Sequence, residues 1–181
     1  MNYGISKGTM TSTTWRVTGI AGAVLASLAA VTIPAVTSAA APAPCAPESL
    51  ALSTRERPSD SASQGTLDVV LTNTSAQACA LQGFPGVDLV GPADPTFGPT
   101  YSLPRQAADP TPQTVEPGAA VSSLLTYLPG GPDGWVPATV VVTPPDTTTQ
   151  LQAPWPAGVS VQRQDGATHP GTFVGPLVPG A

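Results

Sequence analysis

An all-β fold, an immunoglobulin-like β-sandwich of about seven to nine short strands, is what this sequence predicts, and three observations carry the prediction. Apolar and polar residues alternate in short runs, as over residues 66–72, where Leu67, Val69 and Leu71 face one way and Asp68, Val70 and Thr72 the other. Such runs are bounded by clusters of turn-forming residues, and the 181-residue chain holds 23 Pro and 18 Gly. Beyond the leader, no stretch of about eleven residues keeps an i, i+3, i+4 apolar pattern free of Pro and Gly, so helix is expected to be nearly absent.

The leader, residues 1–40, reads as a signal peptide. Lys7 and Arg16 precede an apolar run over residues 17–33, followed by Pro34 and the small residues Thr37, Ser38, Ala39 and Ala40, with cleavage expected near Ala39 or Ala40. The apolar run lies at the lower edge of membrane-spanning length, but it is rich in Ala, Gly and Thr and ends in a cleavage site, which favours removal over a retained anchor. Pro44, directly before Cys45, spoils a lipid-attachment site. The expected product is residues 41–181 as a single domain, secreted to the extracellular space or cell wall, with no stable membrane insertion.

In chain order, residues 50–54 alternate and make a first strand, and residues 55–65 a polar loop. Residues 66–72 and 77–81 are expected to pair as a central hairpin across an Asn73-Thr74-Ser75 turn, because Asn and Ser side chains bond nearby backbone. Gly83-Phe84-Pro85-Gly86 turns the chain into a strand at residues 87–90. Residues 91–115 show little periodicity and read as a long surface excursion with one short strand near residues 100–103. Glu116-Pro117-Gly118 is a tight turn into the long strand at residues 119–128. A turn-rich loop at residues 129–137 carries Trp135, and the β-branched run at residues 138–143 is stopped by Pro144-Pro145. Short strands are expected at residues 148–152, 158–162 and 172–174.

Export implies an oxidising compartment, and there the two cysteines, Cys45 and Cys79, are expected to form a disulfide tying the N-terminal segment to the hairpin. Past the leader, four arginines face eleven carboxylates, a net charge of −7 with no lysine. Nucleic acid and anionic lipid both need clustered Lys and Arg, so neither is an expected partner.

With these residues laid out, the chain resembles a family of exported actinobacterial proteins carrying the domain of unknown function 4232. The resemblance rests on Cys45 with Leu50, LTNTSAQACALQGFPGV from Leu71, VEPGAAV from Val115, VVVTPP from Val140 and the closing GTFVGPL from Gly171. It implies an immunoglobulin-like sandwich, a disulfide from the first cysteine to the one in the hairpin, and export to the envelope or medium. Many members carry a second cysteine pair that is missing here; Trp135 stands in that region as a candidate substitute. The family brings no active site.

No catalytic, cofactor or metal residues are expected. The mature chain has one histidine, His169, and no cysteine outside the disulfide, and it lacks a Gly-x-Ser-x-Gly elbow, a phosphate-binding glycine loop and a His-Glu-x-x-His motif. His169 reads as a turn or surface residue. The leading expectation is a non-catalytic domain that binds an envelope polysaccharide or protein through its loops, with Tyr101, Trp135 and Trp155 as candidate exposed anchors. The alternatives are a secreted protease inhibitor and a purely structural surface component.

Overall fold

The computed structural model describes residues 40–180. The expected signal segment, apart from its last residue, therefore lies outside the described residues. After a 3-10 turn at Pro47–Ser49 come ten strands: β1 (Leu50–Arg57), β2 (Gly65–Asn73), β3 (Cys79–Leu81), β4 (Gly86–Asp94), β5 (Gly98–Ser102), β6 (Gln113–Val115), β7 (Ala120–Tyr127), β8 (Thr139–Thr143), β9 (Leu151–Pro154) and β10 (Phe173–Pro179). No α-helix occurs among the described residues. The first sheet has the order β1-β2-β7-β10, the second β5-β4-β8-β9, and β3 and β6 form a small third sheet; every strand pairing is antiparallel.

Alternation along the strands builds the core. Leu67, Val69 and Leu71 from β2, with Val121 and Leu125 from β7, meet Val87 and Leu89 from β4 and Val140 and Val142 from β8 in one buried cluster. This is the sandwich the alternation predicts. On the opposite face of β2, Asp68 is also buried, because Arg55 and Arg57 of β1 close over its carboxylate at 2.8 and 3.2 Å. Those two contacts also explain why β1 runs to Arg57, three residues past its predicted end.

The expected central hairpin does not form. β2 pairs with β1 and β7, while β3 pairs with β6, so the turn after Asn73 carries the chain between sheets. Asn73 directs this arch: fully buried, its amide donates to Gln77 O at 2.8 Å and Val115 O at 2.9 Å, and its Oδ1 accepts from Ser75 N at 2.9 Å. The Glu116-Pro117-Gly118 turn closes onto the same residue, with Gly118 at φ 76° and its N–H on Asn73 O.

The Cys45–Cys79 disulfide is present. Backbone bonds between residues 43–45 and Ala80 lay the N-terminal segment along β3, so the bridge fastens it to the small sheet.

Residues 91–115 are more ordered than the sequence suggests. β4 continues through a register shift between Val90 and Asp94 and folds back into β5, and β6 follows. Pro99 is tolerated because β5 is an edge strand. At the tip, Asp94 Oδ1 accepts the N–H groups of Thr96 and Phe97 at 2.8 and 2.9 Å. The bond from Phe97, and after it the one from Thr96, holds the Asp94 carboxyl below its ordinary value of 3.8. A depressed carboxylate stabilises the fold above the unfolded value and loses that contribution as pH falls through the folded one. In a pH titration the Thr96 and Phe97 amide signals should move together with a midpoint below 3.8; a midpoint at or above that value would contradict the cap.

Candidate groove between the two sheets' edges

After β5 the chain crosses from the second sheet to the first. Leu103 still donates to Val87 O of β4, but Val174 of β10 then donates to Pro104 O, and Gln106 donates to Val174 O, each at 2.9 Å. Residues 104–106 thus run beside β10, with a parallel bridge between Arg105 and Val174. Facing them is the loop at residues 164–170. It is closed by a turn bond from Ala167 N to Gln164 O, with Gly166 at φ 75°, and by Gly171 N donating to the Gln164 side chain at 2.7 Å. Between the two walls lies a groove of about 720 Å³. Tyr101, Leu103 and Phe173 supply apolar surface to it, and Arg105, Gln106 and His169 polar groups.

The wall at residues 164–170 is anchored by Arg163, whose side chain is 4% exposed. Its guanidinium binds both oxygens of Asp165, at 2.9 and 2.7 Å, and donates to the carbonyls of Phe97, Gly98 and Thr100. The rings of Phe97, Tyr101 and Trp135 surround it, with centroids 5.3, 5.6 and 4.8 Å from the guanidinium carbon. Hydrogen bonds to Asp165, more than the opposing effect of burial, push the Arg163 pKa up, so the charge is permanent. Three segments far apart in sequence, at residues 97–101, 135 and 163–165, are thereby held together. The same contacts occupy carbonyls of edge strand β5 that would otherwise be open to pairing.

The structure corrects two of the three candidate anchors. Tyr101 is 2% exposed and Trp155 5%, and both belong to the core. Tyr101 lies opposite Leu89 on the inward face of β5. Trp155 packs edge-on against Tyr127 at 5.5 Å and donates to Val159 O. Neither is an exposed contact, because in a sandwich this small the large rings are needed to fill the interior. Trp135 is half-buried and does tie segments together: it donates to Pro92 O at 2.8 Å, packs on Arg163 and bridges Val161. That bridge, with one to Pro129, replaces the strand expected at residues 158–162. Gly130 and Gly134 pack so closely that a Cβ on either would strike the other's backbone, which folds the 129–137 loop onto itself.

His169 is exposed, as expected, and lies on the groove. Sequence reasoning missed the roles of Arg163, Arg105 and Gln164; the only local hint was the Arg163-x-Asp165 spacing. Among the described residues no group of three or more His, Cys, Asp or Glu is placed to hold a metal ion, and no helix is long and apolar enough to cross a membrane. No curated protein and no solved structure matches this chain. The model of one protein family does match, from the first disulfide cysteine to the opening residue of β10. Because that match, to a domain of unknown function (DUF4232), spans residues 45–173 and so most of the chain, the protein belongs to the DUF4232 family.

Proposed function

We propose that this is an exported, non-catalytic binding domain that takes an envelope or extracellular partner in the groove between residues 101–107 and 164–170. The observation that carries the reading is the groove itself. Its volume of about 720 Å³ suits a small ligand or a segment of a larger one. Its walls are fixed by backbone bonds to β10 on one side and by Arg163 and Gln164 on the other. Prefixed walls lower the ordering cost of binding.

Two further points support the reading. The one carboxylate on the groove, Asp165, is bound at both oxygens by Arg163, which makes it a poor general base. Export is supported by the order of charged, apolar and small residues in the leader and by the disulfide, which suits an oxidising compartment.

The test is co-sedimentation of the purified protein with the polysaccharide and protein fractions of its host's envelope. Wild type should sediment with one fraction at micromolar concentration, and Ala167→Trp, which fills the groove from an exposed wall position, should remain in solution. Equal behaviour of the two proteins, or no sedimentation of either, would overturn the reading.

A further inference from the structure

The groove has a polarity that its lining explains. Of the four arginines among the described residues, Arg55 and Arg57 are spent on Asp68 and Arg163 on Asp165. Arg105 has no carboxylate partner among the described residues. Its guanidinium instead lies 6.0 Å from the Phe84 ring, at the outer limit of a cation–π contact. In this acidic chain the uncompensated guanidinium lies exposed on the groove, which His169 also lines. Arg105 is also held in place, since its neighbours Pro104 and Gln106 are both bonded to Val174.

Tyr101 also lines the groove. Its hydroxyl is buried, with the Thr172 side chain and the Gln164 backbone beside it. Burial dominates and pushes the Tyr101 pKa up, so the group is a neutral phenol and a ready donor.

Backbone accounting then separates saccharide from peptide. A peptide laid in such a groove gains most of its affinity by pairing with an open strand edge. Here the β10 edge is occupied at Val174, whose N–H and C=O are taken by Pro104 and Gln106, and at Leu177, whose N–H is taken by Gly83 O. The Gly98 and Thr100 carbonyls of β5 are taken by Arg163. What remains to read a ligand is side chains: the Arg105 guanidinium, the amide of Gln106, the hydroxyl of Thr168, and His169, beside the apolar groups of Leu103 and Phe173. Hydroxyl and amide donors beside apolar groups, with one cation lacking a carboxylate partner, suit a polyhydroxylated ring bearing a carboxylate.

From this we infer that the groove binds an acidic saccharide, its carboxylate on Arg105 and its ring against Leu103 and Phe173. The inference rests on the groove being the binding site. A guanidinium clamps a carboxylate through two parallel hydrogen bonds, and a neutral sugar cannot use it.

The experiment is titration of the 15N-labelled full-length protein with oligoglucuronate, with the neutral oligosaccharide of the same linkage, and with a short peptide bearing a free C-terminal carboxylate. Oligoglucuronate should shift the amides of residues 102–107 and 164–169, and Arg105→Gln should weaken it about tenfold or more. Arg105→Gln leaves the backbone bridge to Val174 in place, and an unchanged spectrum elsewhere shows that it folds. Equal response to the neutral sugar, or preference for the peptide, would overturn the inference while leaving the groove as the binding site. Shifts confined to another face would overturn both.

Discussion

Replacing Cys45 and Cys79 together by Ala is expected to lower stability by about 4 kcal/mol, because the bridge closes a loop of some 34 residues and restricts the unfolded chain. For a domain of this size that corresponds to a fall in melting temperature of roughly 12 °C. Both cysteines are buried within the core cluster, so the substitutions also remove packing. Urea denaturation with and without reductant checks the figure. The reduced protein and the double-Ala variant should have similarly lowered midpoints, and a change below about 1 kcal/mol would show that backbone pairing of residues 43–45 with β3 carries the segment unaided.

Arg163→Met is expected to cost about 2–3 kcal/mol, below the range for a fully buried ion pair because the Asp165 side chain is 25% exposed. The loss arises in three places. Asp165 is left without its cation, the Gly98 and Thr100 carbonyls lose their donors, and the Phe97, Tyr101 and Trp135 rings lose the guanidinium they surround. Arg163→Lys should recover only part of the loss, since an ammonium cannot bind both Asp165 oxygens and reach β5 together. Denaturation midpoints measure the cost, and the near-ultraviolet circular dichroism of Trp135 reports whether the loop loosens. A Met variant within about 1 kcal/mol of wild type would remove Arg163 from its central place.

Arg163 also explains how the second half of the domain is held. Around it stand a half-buried tryptophan, Trp135, and the Asp165 carboxylate. Trp135 acts with Arg163, which reaches the β4–β5 tip, the 129–137 loop and Asp165 at once.

How much of this is legible in the sequence depends on how local each cause is. β2, β7 and β8 are legible because the alternation of Leu67, Val69 and Leu71 and the run Val140 to Val142 carry their own signal of burial. The Glu116-Pro117-Gly118 turn is legible for the same reason, since Gly118 supplies the positive φ that the turn requires. The partner of β2 is not legible. Asn73 marks a turn in the sequence, but only its bond to Val115 O, 42 residues away, makes that turn an arch between sheets. The strand pair β4–β5 is hidden by the register shift after Val90, which breaks the period-2 pattern, and by Pro99, which reads as a strand breaker. Rings expected as exposed anchors become core because the chain brings few other large side chains to the interior: Tyr101 follows the inward face of β5 and Trp155 packs on Tyr127.

The groove was the least legible feature. Its two walls lie some 60 residues apart and meet only because residues 104–106 cross to β10 and Arg163 draws the second wall toward the β5 tip. Arg105 and Gln164 carry no motif, and His169 has no companion in sequence that would mark it. What the sequence did show was the inventory: few cations, one histidine and no free thiol. Once the fold places three of the arginines on carboxylates, the fourth becomes informative.

The central claim is that a partner binds in this groove, and amide hydrogen exchange of the protein bound to its host's envelope material tests it most directly. The account predicts slowed exchange at residues 102–107 and 164–169, with the outer face of the second sheet around Asp88, Val141 and Gln152 unchanged. Protection centred on that outer face, or none at the groove under conditions where the protein is bound, would contradict it.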